Sequence, residues 1–355
     1  MAYYFKLPPV DELTVPQQAV LNDIRNVKIT GAPGTGKSVV ALWRFLQKLG
    51  TNKKTLLLTY TKSLEAYFKG AAKNINKNAP QHISRTLWWT THVTTGSYNE
   101  IIVDEAQDVG IDRYKVIKNY TKGISYGFDP KQSLYFSPTQ VQQLEIDLQN
   151  LLPNNVHHTL SKNYRNTYEI MRFIRSFLTD YPISHYMLND LKTRNIGEKP
   201  QLIIYDDEIN EIVKIVNTFY SENHNIAILL PFCTSNSLTS EYQFNDYLSS
   251  LKKKINYPIS SYCRNLNGDD EEVKIENIHL TTFKSAKGLE FDTVIIPKFH
   301  NFKFLIDKAH VVELNDFYVA LTRARNNLFL LSEKNLDFLH KDTVKVVDNS
   351  KDLPF

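Results

Sequence analysis

The sequence predicts an α/β protein with parallel β-sheets. Short runs rich in β-branched residues alternate with stretches of helical periodicity, a pattern typical of parallel strands joined by crossover helices. At one strand-to-helix junction the chain reads GAPGTGKS at 31–38, which is typical of a phosphate-binding loop. The chain has 355 residues, more than one ordinary hydrophobic core accommodates. Two domains, 1–150 and 151–355, are therefore predicted, with a boundary at the pattern-breaking LLPNN of 151–155.

Each predicted strand is a short apolar or β-branched run bounded by turn residues. In the first domain these runs are Val27–Thr30, Thr55–Tyr60, Leu87–His92, Ile101–Asp104 and Ile124–Phe128. In the second domain they are His157–Leu160, Gln201–Tyr205, Ile226–Leu230, Ile278–Thr282, Val294–Ile296 and Leu328–Leu331. Helical patterns fill most intervals, for example Val39–Leu49, which ends at Gly50.

Composition narrows the class and location of the protein. Hydrophobic residues make up 42% and charged residues 23%, which predicts a folded, soluble chain. No apolar run approaches the roughly 18 residues that span a bilayer, and the N-terminus lacks the zones of a signal peptide. The two cysteines, Cys233 and Cys263, are too few for a disulfide framework and lack metal-ligand spacing. We expect a cytoplasmic protein with no membrane partner, and its net charge of +4 permits nucleic-acid binding without requiring it.

The glycine-rich segment predicts how a nucleoside triphosphate is held. Its glycines allow backbone N–H groups to turn inward onto phosphate oxygens, and the helix that follows adds the positive end of its dipole. Lys37 is placed to reach the β and γ phosphates, and the hydroxyl of Ser38 is placed to hold Mg²⁺. The remaining predicted nucleotide contacts in this loop are Gly31, Ala32, Pro33, Gly34, Thr35 and Gly36. A glycine-rich turn without a ligand is the structural alternative.

A pair of acids follows the buried run EIIV, in the segment DEAQD at 104–108. A strand that ends in one acid is common by chance, whereas two adjacent acids after a buried run, downstream of a phosphate-binding loop, are not. Asp104 is predicted to hold Mg²⁺, directly or through water, and Glu105 is predicted to polarise the attacking water as general base. An exposed acidic loop is the structural alternative. ATP and Mg²⁺ are therefore the predicted cofactors.

Further motifs follow in an order that resembles the superfamily 1 helicases of the UvrD/Rep type. The segment LTVPQQAVL at 13–21 is similar to that family's adenine-reading Q motif, which implies that Gln17 binds the adenine edge. LLLTYTKSL at 56–64 resembles motif Ia and DEAQD resembles motif II. DPKQSLY at 129–135 is similar to motif III, which implies that Gln132 senses the γ-phosphate as a catalytic residue.

The resemblance continues through the second half of the chain. LSKNYRN at 160–166 resembles motif IV, which implies that Tyr164 lies beside the base and that Arg165 is an arginine finger. YVALTRAR at 318–325 resembles motif VI, which implies that Arg323 is a second finger. A planar cation on the departing γ-phosphate lowers the barrier by orders of magnitude. For a lone arginine, a surface salt bridge is the alternative.

Motif V completes the series in TTFKSAKGLEF at 281–291, where the resemblance implies that Glu290 contacts the ribose and that Thr282 lies near the DNA backbone. The family fold implied by the whole series is two RecA-like P-loop domains with parallel sheets in tandem, with the ATP site in the cleft between them. The Q motif and motifs Ia to III would then lie in 1–150, and motifs IV to VI in 151–355.

Candidate contacts to a nucleic-acid strand combine hydroxyls, which bind phosphates, with rings, which stack on bases. Trp88 and Trp89 lie in a predicted strand, so at most one of them should pack inward. The other ring could cover a helix, contact a partner or contact DNA, and packing is its favoured role. The predicted nucleic-acid contacts are Thr59, Tyr60, Thr61, His92, Tyr135 and Thr282.

The resemblance implies an ATP-dependent translocase or helicase that moves along single-stranded DNA in the 3′→5′ direction, with RNA as an alternative polymer. Only 66 positions separate Ser38 from Asp104, and 117 separate Arg165 from Thr282. These intervals leave no room for the family's large inserted subdomains, so a minimal version is predicted. An ATP-gated regulatory subunit that binds DNA or protein without unwinding is the alternative. A protein partner would then supply the grip on duplex DNA or a nuclease activity.

Overall fold

The computed structural model describes residues 7–51, 53–181, 183–233, 242–264 and 273–350. The chain divides into two compact units between Tyr164 and Arg165. Each unit contains one β-sheet whose neighbouring strands are parallel, with helices in the connections. The predicted fold class, tandem α/β domains with parallel sheets, is therefore confirmed.

The first unit contains a six-stranded sheet in the order β3-β2-β4-β5-β1-β6. Its strands are β1 Val27–Gly31, β2 Thr55–Thr59, β3 Ile83–Arg85, β4 Glu100–Val103, β5 Ile124–Phe128 and β6 Val156–Leu160. Its helices are α1 Val15–Asn22, α2 Lys37–Gly50, α3 Lys62–Lys73, α4 Thr86–His92, α5 Ile111–Lys118 and α6 Pro138–Leu151. The carboxyl ends of these parallel strands meet at one edge of the sheet, and the two predicted catalytic motifs follow β1 and β4 there.

The second unit contains a seven-stranded sheet in the order β13-β7-β12-β11-β8-β10-β9. Its strands are β7 Gln201–Ile204, β8 Ile226–Leu230, β9 Ile259–Tyr262, β10 Ile278–Thr282, β11 Phe291–Ile296, β12 Ala324–Ser332 and β13 Lys345–Asp348. Its helices are α7 Tyr168–Phe177, α8 His185–Arg194, α9 Glu208–Phe219, α10 Phe244–Lys254, α11 Phe302–Asp307 and α12 Leu314–Leu321.

The central strands read as continuous apolar runs because both faces of a parallel sheet are covered by helices. Every residue of β2, β4 and β5 is buried. One charged pair lies within the core of the first unit: Arg44 of α2 is fully buried and donates from Nε to Glu100 Oε1 at 2.8 Å. A second nitrogen, Nη1, donates to the carbonyls of Val20 and Asp23. The guanidinium therefore joins α2 to β4 and to the end of α1.

The predicted strand at Leu87–His92 is wrong, since these residues belong to helix α4. Its aromatic and threonine-rich composition favoured a strand, but the helical hydrogen bonds and the burial of one face decided the structure. Trp89 packs inward, with 7% of its surface exposed, and Trp88 is 46% exposed. Packing therefore holds for one of the two rings. The short strands β3, β9 and β13 were not predicted.

The boundary predicted at 150/151 would separate β6 from the sheet to which it belongs. β6 pairs in parallel with β1 over five residues, from Val27↔Val156 to Gly31↔Leu160. The structural division accordingly follows Tyr164. The strand run was predicted correctly in sequence, but its partner strand lies more than 120 residues earlier in the chain.

The two cysteines are joined in a disulfide, Cys233–Cys263, with Cα atoms 5.9 Å apart. The low cysteine count did not predict this bond, which joins the segments that follow β8 and β9, the two strands that flank β10. Within the described ranges, no group of three or more His, Cys, Asp or Glu side chains is arranged to hold a metal ion. Among those same residues, no helix has both the length and the apolar character needed to cross a membrane.

Candidate active site

The glycine-rich loop links the carboxyl end of β1 to the first turn of α2. Gly34 and Gly36 adopt left-handed backbone conformations, with φ of 75° and 90°, and glycine is the residue that adopts these angles without strain. A Cβ atom on Gly36 would lie 2.4 Å from Gln17 Nε2. The loop conformation therefore needs glycine for its dihedral angle and for the close approach of the Q-motif side chain.

The ammonium group of Lys37 lies inside this loop. Its Nζ donates to the carbonyls of Gly31 and Ala32 at 2.6 and 3.2 Å. It also lies 3.4 Å from Asp129 Oδ2, a carboxylate that follows β5. Only 8% of the lysine surface is exposed. The lysine is thus held at the phosphate-binding loop by partners that a phosphate oxygen can replace.

Asp104 follows β4 and is almost completely buried. Burial and the charge of Glu105 raise the pKa of Asp104 to about 7, against a hydrogen bond from Ser38 and the charge of Lys37, which lower it. Its Oδ2 has no hydrogen-bond partner among the residues that the structure describes. A buried carboxylate oxygen beside a hydroxyl is the oxygen-ligand chemistry that Mg²⁺ prefers, so Asp104 and Ser38 fit that ion.

The second acid, Glu105, has φ 55° and ψ 44°, which is uncommon for a residue with a side chain. Gln107, which is fully buried, donates from Nε2 to Glu105 Oε2 at 2.5 Å. The Oε1 of the same glutamine accepts from the backbone N–H of Asp129 at 3.0 Å. Asp129 Oδ2 in turn accepts from Gln132 Nε2 at 2.6 Å.

Hydrogen bonds and ion pairs therefore connect the predicted catalytic residues Lys37, Glu105 and Gln132 through Gln107 and Asp129. Sequence reasoning missed the two connecting residues, although both lie in motifs that it quoted. The sequence feature that could have indicated Gln107 and Asp129 is that both DEAQD and DPKQ contain an Asp and a Gln. The connection itself depends on β4 and β5 being neighbours in the sheet.

A cavity of about 390 Å³ opens beside the loop, within the first unit. Gln17 and Tyr164, the two residues predicted at the base, both line it. The amide of Gln17 bridges the cap of α1 and the loop, since Oε1 accepts from the N–H of Thr14 at 3.0 Å and Nε2 donates to Thr35 O at 3.1 Å. The backbone N–H of Tyr164 donates to Gly34 O at 2.7 Å. The structure thus brings these two predicted residues together next to the phosphate-binding loop.

Two predicted residues of the second unit, Arg165 and Glu290, are joined directly, and Glu290 immediately precedes β11. Arg165 donates from Nε to Glu290 Oε2 at 2.9 Å. Arg325, which was not predicted, lies with Nη1 3.6 Å from Glu290 Oε1. Burial acts to raise the pKa of Glu290, but the charges of Arg165 and Arg325 lower it below its ordinary value.

Arg323 is fully buried at the turn between α12 and β12. Its Nε and Nη1 donate to the carbonyls of Val319 and Leu289 at 2.9 and 3.1 Å, and Nη2 donates to Thr322 Oγ1 at 3.1 Å. All three nitrogens therefore have partners within the second unit. In this conformation the residue joins motif V to motif VI, and its predicted role on the γ-phosphate stays a prediction.

Of the residues predicted to contact a nucleic acid in the first unit, Thr59, Tyr60 and Thr61 lie at the carboxyl end of β2, Tyr135 follows β5, and His92 ends α4. The rings of Tyr60 and Tyr135 are 4.8 Å apart. His92 is exposed, and its ring stacks on that of Trp88 at 4.6 Å. The hydroxyl of Thr61 caps α3 by accepting from Leu64 N–H at 3.2 Å.

Two threonines on the same list are buried. Thr59 Oγ1 has no hydrogen-bond partner within the described part of the chain. Thr282, in the second unit, donates to Ser285 Oγ at 3.0 Å and is 5% exposed. Contact between either hydroxyl and a nucleic acid stays a prediction.

The chain contains two α/β units with parallel sheets, and the first carries a glycine-rich loop and a pair of acids at a strand end, which is the architecture of P-loop nucleotide-binding proteins. Residues 237–335 match the family model of the UvrD-like helicase C-terminal domain. This match, together with two DNA helicase relatives, confirms the predicted resemblance to the UvrD/Rep-type superfamily 1 helicases.

The first relative is a probable DNA helicase II homolog of Mycoplasma pneumoniae, 32% identical over 142 residues, which cover 35% of this chain and 20% of the relative. The second is a putative ATP-dependent DNA helicase of Acanthamoeba polyphaga mimivirus, 26% identical over 258 residues, or 66% of this chain and 34% of the relative. The chain thus spans at most about a third of the length of these relatives.

Among solved structures, the PRRSV helicase is 14% identical, with a TM-score of 0.43 over 90% of this chain and 54% of its own. Arterivirus nonstructural protein 10 (helicase), in a complex with DNA, is 12% identical, with a TM-score of 0.44 over 91% of this chain and 63% of its own. Scores below 0.5 add nothing to the fold assignment, which rests on the two parallel sheets.

Proposed function

We propose that this chain hydrolyses ATP with Mg²⁺ and couples hydrolysis to movement along single-stranded DNA in the 3′→5′ direction. The observation that carries the proposal is the connected set of Lys37, Asp129, Gln132, Gln107 and Glu105 at the edge of the first sheet. These residues join a phosphate-binding lysine to an acid that can activate water. The family match to a helicase domain supports DNA as the polymer.

In this proposal the loop N–H groups and Lys37 bind the β and γ phosphates, and the lysine exchanges its loop carbonyls for phosphate oxygens. Asp104 and Ser38 would hold Mg²⁺, and the ion would neutralise part of the phosphate charge. Glu105 accepts a proton from the attacking water, and Gln107 holds its carboxylate in place. Gln132 joins the γ-phosphate to this set, and Arg165 and Arg323 stabilise the charge that develops as the γ-phosphate leaves.

Movement requires hydrolysis to change how the two units hold the strand. The P-loop belongs to the first unit and the two arginines belong to the second. We propose that nucleotide binding closes the units on ATP and that hydrolysis reopens them. Bases would stack on Tyr60, Tyr135 and His92, and threonine hydroxyls would contact phosphates.

The test is the steady-state ATPase rate measured without polymer and with single-stranded DNA, duplex DNA or RNA. We expect stimulation by single strands, and loss of hydrolysis in Lys37→Ala and Glu105→Gln. Arg165→Ala should retain ATP binding while losing hydrolysis. A wild-type rate that no nucleic acid changes would contradict the translocase, and RNA stimulation above that of DNA would reassign the polymer.

A second candidate is an ATP-gated subunit that clamps DNA or a protein partner without unwinding. The short intervals between motifs favour it, because 66 and 117 positions provide no inserted subdomain to split a duplex. A protein partner would then grip the duplex or supply nuclease activity. Strand displacement by the isolated chain would exclude this candidate, whereas ATP-dependent DNA retention without displacement would support it.

A further inference from the structure

Two arginines share one carboxylate in the second unit. Glu290 Oε2 accepts from Arg165 Nε at 2.9 Å, and Glu290 Oε1 lies 3.6 Å from Arg325 Nη1. The side chains are 13%, 25% and 20% exposed for Arg165, Glu290 and Arg325. Both oxygens of the glutamate are thus engaged, in a half-buried place where a charge pair is screened less than on an open surface.

The backbone around Arg165 is fixed as well. Its Nη1 lies 3.4 Å from Thr322 O, so the guanidinium is held from two directions. The next residue, Asn166, is fully buried and donates from Nδ2 to Thr322 O and Ala324 O at 3.2 and 2.6 Å. The Arg165 guanidinium and the neighbouring Asn166 side chain are therefore both anchored to the turn that leads into β12.

The net charge around Arg165 determines whether pairing with Glu290 still allows this arginine to bind a phosphate. A single carboxylate on a single arginine would cancel its charge and compete with the phosphate. Arg325 supplies a second positive charge and also lies 4.0 Å from Asp292 Oδ1, and the charge of Arg323 acts on Glu290 as well. Three guanidiniums and two carboxylates therefore keep a net charge of +1. Glu290 can then orient Arg165 while the group still attracts a phosphate.

Arg325 is also distinguished from its neighbour Arg323. The nitrogens of Arg323 donate to two carbonyls and a hydroxyl in a fully buried position. The side chain of Arg325 is 20% exposed and pairs with carboxylates instead. The two arginines of the TRAR segment therefore differ in their partners. Arg323 binds groups inside the fold, and Arg325 pairs with the carboxylates of Glu290 and Asp292.

We infer that Glu290 is a positioning residue that orients Arg165 for the γ-phosphate, with Arg325 as the balancing cation. The inference rests on the proposed ATP hydrolysis. It differs from the ribose contact that the family resemblance implies for Glu290. A preorganised cation does not have to be ordered during the reaction, so the orientation acts on the chemical step.

The first test is kinetic and uses the full chain with saturating single-stranded DNA. We expect Glu290→Gln to lower kcat about tenfold, a small part of the 10³–10⁵ that an arginine finger contributes. KM for ATP should change less than twofold, and the loss should be the same with 2′,3′-dideoxy-ATP. Glu290→Asp, which keeps the charge, should recover part of kcat.

A double-variant comparison isolates the partner. If Glu290 acts through Arg165, then Glu290→Gln adds no further loss in the Arg165→Ala background. If the loss of kcat in the double variant equals the product of the losses in the two single variants, the inference is overturned. A higher KM for ATP in Glu290→Gln that disappears with 2′,3′-dideoxy-ATP would also overturn it, in favour of the ribose contact.

A second measurement does not depend on turnover. This measurement is an NMR spectrum of the nucleotide-free protein, in which the Nε–H signal of Arg165 is assigned by its absence in Arg165→Lys. The signal should be shifted from the position of a solvated arginine and protected from exchange with solvent. Glu290→Gln should return it towards the position of a solvated arginine while the backbone spectrum is retained. An unprotected wild-type signal would refute the orientation itself, whereas a protected signal in a chain without ATPase activity would refute only the proposed function.

Discussion

Gly127 offers a direct way to disturb the predicted metal site without touching a ligand. It lies in β5, and a Cβ atom added there would lie 3.1 Å from Asp104 Oδ1 and 3.9 Å from Lys37 Cβ. Ordinary contact begins at 3.4 Å, so Gly127→Ala must move the carboxylate by a few tenths of an ångström.

The size of the effect follows from the tolerance of Mg²⁺. This ion requires near-octahedral oxygen ligands at about 2.0–2.1 Å, and a site holds within about 0.2 Å of such distances. A displacement larger than that tolerance should weaken Mg²⁺ binding by ~1.4 kcal/mol. The Mg²⁺ concentration that gives half of the maximal ATPase rate should therefore rise about tenfold. Gly127 does not have a left-handed φ, so the gain of about 0.4–1 kcal/mol expected for Gly→Ala is offset by displacement of the buried Asp104 carboxylate, and the free energy of unfolding should change by less than about 1 kcal/mol.

The assay is the ATPase rate as a function of Mg²⁺ concentration, with thermal unfolding recorded on the same samples. Gly110→Ala is the matched control, because its added Cβ meets only Phe136 Cζ, at an ordinary 3.8 Å. An unchanged half-saturating Mg²⁺ concentration in Gly127→Ala would refute the reasoning. So would an equal change in Gly110→Ala.

Three further predictions concern the network, the core and acid stability. Gln107→Leu frees Glu105 from its 2.5 Å hydrogen bond, so kcat should fall about tenfold with little change in KM for ATP, as measured by steady-state kinetics. Arg44→Met removes the 2.8 Å hydrogen bond to the buried Glu100, which keeps Lys48 and Ser125 as partners, so the free energy of unfolding in urea should fall by about 1–3 kcal/mol. His279 is fully buried and its pKa is lowered by burial to about 3. As pH falls below the ordinary value of about 6.5, the unfolded chain takes up a proton that the fold rejects, so stability falls; at pH 5 the loss is about 2 kcal/mol. His279→Asn should remove most of that loss between pH 7 and pH 5, and an identical drop in both proteins would assign it to other groups.

The parts of the site that lie close together in the chain were predictable from sequence. A strand, a glycine-rich loop and a helix follow one another at Val27–Gly50, and the structure contains all three. Asp104 and Glu105 were placed correctly at the end of an apolar run. Local spacing carries this information because backbone geometry alone determines it.

The connections between distant segments were not predictable in the same way. Gln107 reaches Asp129 because β4 and β5 are neighbours, and strand order is not written in local periodicity. The burial of Arg323 depends on Leu289 lying beside the turn before β12. Cys233 follows β8 and Cys263 follows β9, and the two meet because these strands lie on either side of β10 in the sheet.

The division of the chain at the Tyr164–Arg165 peptide bond has a mechanical consequence. Tyr164 is tied to the first unit through Gly34 O, and Asn166 is tied to the second through Thr322 O and Ala324 O. No slack segment separates these anchors, and adjacent Cα atoms are held about 3.8 Å apart. The anchored backbone of the first unit therefore passes into that of the second within three residues, 164–166. Glycines inserted between Tyr164 and Arg165 would lengthen this connection and leave both sets of anchoring hydrogen bonds intact.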